Sequence, residues 1–142
     1  MIAGMTIQVR AMTDEDLIAL VQEYFEGVDS QDIDRVLSTL TEDCRFTVET
    51  HRVELIGHGE IKGMFERLWQ NHSAVRHHAF TYVPSAARGQ IAAQFQVTNT
   101  LRDRSEVNKS NCNFFHLRDG RFDAVAVYMA GENTLKKSSV IG

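Results

Sequence analysis

The chain predicts an α+β domain, a cone in which three N-terminal helices pack into a strongly curved antiparallel sheet. Two observations carry the prediction. Apolar residues recur at helical spacing as far as Trp69, interrupted by a single alternating segment, and from Val75 onward they alternate as in strands with no return of the helical period. Helices first and a run of strands afterwards is the order of an α+β domain, not of alternating α/β units. A third observation concerns the last two strands. Phe115, Val125, Val127 and Met129 share one face, while Phe114, Ala124, Ala126 and Tyr128 share the other. A sheet apolar on both faces must be covered on both. The helices cover one, so a homodimer through the other is expected, with small exposed alanines as the competing reading.

Each element has a local signature. Residues 1–12 carry no pattern and are read as an N-terminal arm, disorder being one expectation for it. Residues 13–142 are read as one domain. Thr13 precedes Asp14, Glu15 and Asp16, an N-cap followed by the negative charge that a helix N-terminus favours. Leu17, Leu20, Val21, Tyr24, Phe25 and Val28 then form one stripe, ended by Gly27 and the Asp29-Ser30-Gln31 segment. Asp32 caps a second helix with a stripe of Ile33, Val36, Leu37 and Leu40. Cys44, Phe46 and Val48 alternate with Arg45, Thr47 and Glu49 as a half-buried strand. Gly57-His58-Gly59 introduces a third helix whose inward residues are Ile61, Met64, Phe65, Leu68 and Trp69. Strands follow over Val75–Val83, Gln90–Leu101, Glu106–Leu117 and Arg121–Met129, with Arg118-Asp119-Gly120-Arg121 as a tight turn.

Composition narrows the function classes. A chain of 142 residues is one domain, with 43% hydrophobic and 24% charged residues as in ordinary globular proteins. A net charge of −4 without a Lys/Arg cluster argues against a nucleic-acid partner. No apolar run reaches the roughly 18 residues a membrane span needs, and Met1-Ile2-Ala3-Gly4-Met5 is not a secretory leader. Cys44 and Cys112 lack metal-type spacing and read as reduced core residues, which points to the cytoplasm. The six histidines form no i,i+4 helical pair, so no metal is expected. There is no Gly-x-Ser-x-Gly nucleophile turn and no phosphate-cradling glycine loop, and no cofactor is expected.

The run Leu20-Val21-Gln22-Glu23-Tyr24-Phe25-Glu26-Gly27-Val28-Asp29-Ser30-Gln31-Asp32-Ile33-Asp34 resembles the opening of ketosteroid isomerases and SnoaL-like polyketide cyclases, members of the nuclear transport factor two-like superfamily. Glu42-Asp43 before a strand, Gly57 before the Ile61/Phe65 helix and Arg118-Asp119-Gly120-Arg121 before the last strand agree in order, so the resemblance spans residues 13–135. It specifies the fold more strongly than the reaction. By resemblance to the isomerases, Tyr24 stands in place of their oxyanion-hole tyrosine. Val48 replaces their general-base carboxylate, and Asn113 replaces a protonated aspartic acid as second oxyanion donor. A standard steroid isomerase is therefore not expected. Resemblance to the scytalone and bile-acid dehydratase types implies another constellation: Tyr24, Asp29 and a strand histidine. If the strand keeps the isomerase register, Val75, His77, Ala79 and Thr81 face the pocket and the histidine is His77. A one-residue slip makes it His78.

The chemistry expected of these groups is proton transfer beside a carbonyl. His77 takes the acidic proton and returns it to a leaving hydroxyl, Tyr24 and Asn113 stabilise the oxyanion, and Asp29 orients the imidazole. Each has a bland alternative: a core-bonded histidine, a core tyrosine, and an aspartate that merely caps a turn. The pocket wall is expected from Phe46 and Val48 on the first strand and Phe65 and Trp69 on the third helix. On the long strands Phe95, Val97 and Asn99, then Asn111 and Phe115, then Val125 and Met129 complete it. Three inward amides suggest a polar ligand or ordered water, since buried amides need partners. The chain is thus expected to be a cofactor-independent lyase or isomerase, dehydratase- or cyclase-like, acting on a mid-sized, partly apolar carbonyl compound. The rival is a non-catalytic small-molecule binder of the same fold, favoured by the missing carboxylates. A third reading is an interaction domain whose pocket is filled by its own aromatic rings.

Overall fold

The computed structural model describes residues 11–131. The rest of the expected arm and the end of the expected domain lie outside the described residues. Helix α1 spans Asp14–Asp29 and opens on a capping box: the Asp16 amide donates to Thr13 Oγ1 at 3.1 Å, and the Thr13 amide donates to Asp16 Oδ2 at 2.9 Å. Reciprocal satisfaction of two otherwise unpaired amides is worth about 1 kcal/mol. Gly27 does not end α1, contrary to expectation. It lies two residues inside the helix, where α2 (Ile33–Ser38) crosses. A Cβ there would sit 2.9 Å from both Val36 Cγ2 and the Val36 amide nitrogen. Gly27→Ala is therefore expected to destabilise the chain by about 1–3 kcal/mol, because backbone cannot move aside as a side chain can. Urea unfolding with an unchanged slope and a lower midpoint would register it.

Asp32 caps α2 through the Arg35 amide at 3.1 Å. Leu40 belongs not to α2 but to the next strand, β1 (Leu40–Val48), where it is fully buried. A short edge strand, β2 (Val53–Ile56), pairs with β1 and was not predicted, since four residues give too little alternation to register. Helix α3 (Gly57–Asn71) is followed by β3 (His72–Ser85), β4 (Gln90–Leu101), β5 (Glu106–Arg118) and β6 (Arg121–Tyr128). The Arg102 guanidinium supplies the carbonyl cap of α3, donating to Trp69 and Gln70 oxygens at 2.9 and 3.0 Å.

One six-stranded sheet has the order β2-β1-β6-β5-β4-β3. The α+β cone stands as expected, with one difference: β1 and β6 run parallel, in a sheet otherwise antiparallel. The three helices lie against the concave face, where the buried rings of Tyr24, Phe25, Phe46, Phe65, Phe95 and Phe115 form the core. On the opposite face Phe114 and Tyr128 are 53% and 43% exposed, their rings 6.0 Å apart and edge-on.

Candidate functional site

The edge strand β3 carries the most distinctive group. His77 faces inward opposite Val97, its side chain 10% exposed and its ring 4.6 Å from Phe25 and 5.3 Å from Phe95. Asp29 grips it twice. Oδ2 accepts the His77 backbone amide at 2.8 Å, and Oδ1 lies 2.5 Å from the ring Nδ1. A carboxylate can only accept, so Nδ1 carries the proton, and in the neutral ring the lone pair lies on Nε2. The sequence required Asp29 to lie past the helix end to reach inward. Instead it is the last helical residue, and the contact forms because α1 packs along β3.

The inward alternation Val75, His77, Ala79, Thr81 breaks after His77. Register slips between His78 and Thr81, and Ala79 adopts φ +57°, a bulge. Ala79 and Thr81 are consequently exposed, and Phe80 packs on Phe25 at 5.1 Å instead. His78, expected as a pocket residue or an alternative to His77, turns to the other face of the sheet, with Nε2 3.1 Å from Thr98 Oγ1. The reason is pleat alternation: successive strand residues point to opposite faces, and the bulge comes only after the pair.

Tyr24 is 2% exposed and ringed by Phe25, Phe65 and Phe115 at 4.8, 6.2 and 5.5 Å. Burial raises its phenol pKa far above the ordinary value, with Cys44 and Asp29 adding to the shift, so the group is a hydrogen-bond donor and not a phenolate. Its hydroxyl hydrogen-bonds to no described residue. The Cys44 thiol is likewise pushed up, to about 12, chiefly by burial, and is no nucleophile.

The three inward amides differ. Asn111 Oδ1 accepts the Ala130 amide at 3.2 Å, which ties down the chain after β6. Asn99 is 3% exposed. Asn113, 2% exposed, has a buried Oδ1 with no partner among the described residues, an arrangement that costs about 1–3 kcal/mol when nothing completes it. Phe46, Val48, Phe65, Phe95, Val97, Phe115, Val125 and Met129 are all buried. Trp69 is half-buried, stacked on Phe65 at 5.9 Å, and its indole N–H donates to Val28 oxygen at 3.0 Å, joining α3 to α1.

The structure therefore brings Asp29 and His77 into contact and sets Tyr24 beside Phe115. Among the described residues no hydrogen bond links Tyr24 or Asn113 to His77. Asn113 pairs with Ala93 while His77 pairs with Val97, two strands over and four residues along. At about 4.8 Å per strand and 3.4 Å per residue, their Cα positions would lie on the order of 16 Å apart on a flat sheet.

Two further inward groups escaped the sequence reading. Lys109 is 7% exposed, on the same face as Asn111 and Asn113, and period-two counting back from those residues would have found it. His72 is 2% exposed, its Nδ1 2.8 Å from Leu68 oxygen. Burial above all lowers its pKa, the Leu68 carbonyl opposes the shift, and Lys109 and Arg102 add to it. It closes the junction of α3 and β3. No group of three metal-ligating side chains occurs among the described residues.

The model of the SnoaL-like domain family matches residues 21–125. No curated protein matches significantly. Among solved structures, a candidate polyketide cyclase from Xanthomonas campestris pv. campestris superposes with a TM-score of 0.75 at 18% identity, over 81% of this chain and 90% of that one. PrhC from Penicillium brasilianum gives 0.74 at 19% identity, over 82% of this chain and 81% of that one. TerC, co-crystallised with polyporic acid, gives 0.70 at 14% identity, over 79% and 89%. At these identities the likeness is one of fold.

Proposed function

The chain belongs to the SnoaL-like domain family, and from that premise we propose that it is a cofactor-independent lyase or isomerase working by proton transfer beside a carbonyl. The observation that carries the reading is the Asp29–His77 pair on an apolar wall. His77 Nε2 takes the proton from the carbon next to the carbonyl. Asp29 keeps the proton on Nδ1 and stabilises the imidazolium, and the neutral Tyr24 hydroxyl donates to the developing enolate oxygen. In an elimination the imidazolium returns its proton to the departing hydroxyl, which leaves as water. In an isomerisation it returns the proton to another carbon. TerC's polyporic acid supports a small-molecule ligand inside this fold, here a partly apolar carbonyl compound.

A β-hydroxy tetralone tests the reading, because loss of water converts it to fluorescent naphthol. Turnover above the buffer rate is the expected result. Tight binding without turnover would favour a non-catalytic binder, a reading supported by Val48, fully buried where the resembling isomerases keep a carboxylate.

The second reading concerns assembly. Exposed Phe114 lines a groove with Arg45, Thr47, Ala124 and Ala126 on the face without helices, and exposed Tyr128 lies edge-on to the Phe114 ring. Its rim carries both signs, with Arg45 beside Glu54 and His116 beside Asp123, so two copies related by a two-fold axis bring no block of like charge together. A homodimer through this face is expected. Sedimentation should give a dimer for the native chain and a monomer for Phe114→Glu, whereas a monomeric native chain would discard the assembly.

A further inference from the structure

Of the five non-glycine residues with positive φ among the described residues, four lie in turns or bends, and Ala79, at +57°, lies inside a strand. A left-handed backbone is unfavourable for a residue with a side chain, and it persists only where the surroundings fix it. The ladder shows its effect. His78 pairs with Gln96 and Thr81 with Gln94, so two residues of β3, Ala79 and Phe80, stand opposite one residue of β4, Phe95. Helix α1 meets β3 at four successive points. Asp29 holds His77, Phe25 packs on Phe80 at 5.1 Å, Gln22 hydrogen-bonds to Tyr82, and Asp14 Oδ1 accepts the Ala86 amide at 2.8 Å. Asp29 and Phe25 are one helical turn apart, a rise of about 6 Å. Their partners, His77 and Phe80, are three residues apart, which in a regular strand means about 10 Å and opposite faces. With Ala79 out of the ladder the separation becomes two steps, about 7 Å, and both side chains face the helix.

From this we infer that Ala79 is a positioning residue for His77. Its left-handed turn keeps Asp29 and Phe25 matched to His77 and Phe80 at once, and so holds the imidazole against its carboxylate. The role rests on the reading of His77 as the base and adds a backbone element to it. A side chain that resists the left-handed region, such as a β-branched one, loosens the Asp29–His77 contact. Removal of the residue does not, because the regular strand that results still carries His77 and Phe80 two steps apart on one face. Elsewhere in a strand a shift of one residue turns the side chains beyond it to the opposite face, so tolerance of a deletion sets this position apart.

Two measurements read the contact directly: the proton resonance of His77 Nδ1–H, moved far downfield by a carboxylate partner, and solvent exchange of the His77 amide. Ala79→Gly, which takes a positive φ freely, and deletion of Ala79 are both expected to keep the resonance, the native exchange rate and the native turnover of the tetralone. Ala79→Val is expected to lose the resonance, to exchange the His77 amide about tenfold faster, and to lower kcat with KM nearly unchanged. A valine variant that keeps the resonance and the slow amide overturns the assignment, as does a folded deletion variant that loses them. Should Ala79→Val fail to fold, the deletion decides alone: signals kept support the role, and signals lost end it. Neither measurement needs turnover, which separates this role from the catalytic reading. A native chain inactive on the tetralone removes the enzyme and leaves the resonance and the amide to judge Ala79. Full turnover in a valine variant without the resonance removes His77 as the base and leaves the positioning of its ring by Ala79 standing.

Discussion

His77→Ala is expected to lower turnover of a β-hydroxy ketone by at least about a hundredfold, the usual worth of a positioned general base. Ligand affinity should change little, because the lost group meets the ligand at one carbon while the apolar wall remains. The ring also packs on Phe25 and Phe95, so a loss of about 1–2 kcal/mol in stability accompanies the change through lost packing. Binding measured by calorimetry alongside steady-state turnover separates the two effects. If turnover survives at the native rate, His77 is only a wall residue and the proton passes elsewhere.

The second large effect belongs to Asp29, a positioning residue, whose two oxygens do different work. Oδ2 satisfies a backbone amide on edge strand β3, and Oδ1 selects the imidazole tautomer. Asp29→Ala removes both, and is expected to cost about 1–3 kcal/mol in stability for the amide left unpaired, together with activity. Asp29→Asn separates them. Its amide oxygen can still accept the backbone N–H, so stability should stay close to native. Its NH2 then faces Nδ1 and forces that nitrogen to accept, which moves the proton to Nε2 and removes the base. A fall in kcat of about tenfold to a hundredfold, with KM nearly unchanged, is the expected signature. Were Asp29→Asn fully active, the carboxylate would be a staple between α1 and β3 and no more.

How far each residue could be read in advance follows from the range of the forces on it. Thr13 and Asp32 are caps because their oxygens reach amides three residues away, and both were legible. β4 runs from Gln90 to Leu101 as read from the alternation alone. β2 was lost because its pattern is four residues long, and Gly27 was misread as a helix stop because its neighbour at the crossing, Val36, belongs to another helix. Asn111 and Asn113 are indistinguishable in sequence. What separates them is the Ala130 amide, brought to one and not to the other by the course of the chain beyond β6.

The sequence by itself determined an α+β chain, the faces of its helices and long strands, and the polar groups those faces carry inward. Burial periodicity and capping depend on residues within a few positions of one another, so a linear reading reaches them. Tertiary structure decided the parallel pairing of β1 with β6, the bulge at Ala79 that ends the inward run after His77, and the grip of Asp29 on a histidine 48 residues away. Those are matters of register and approach between distant segments, and a shift of one residue turns a side chain to the opposite face.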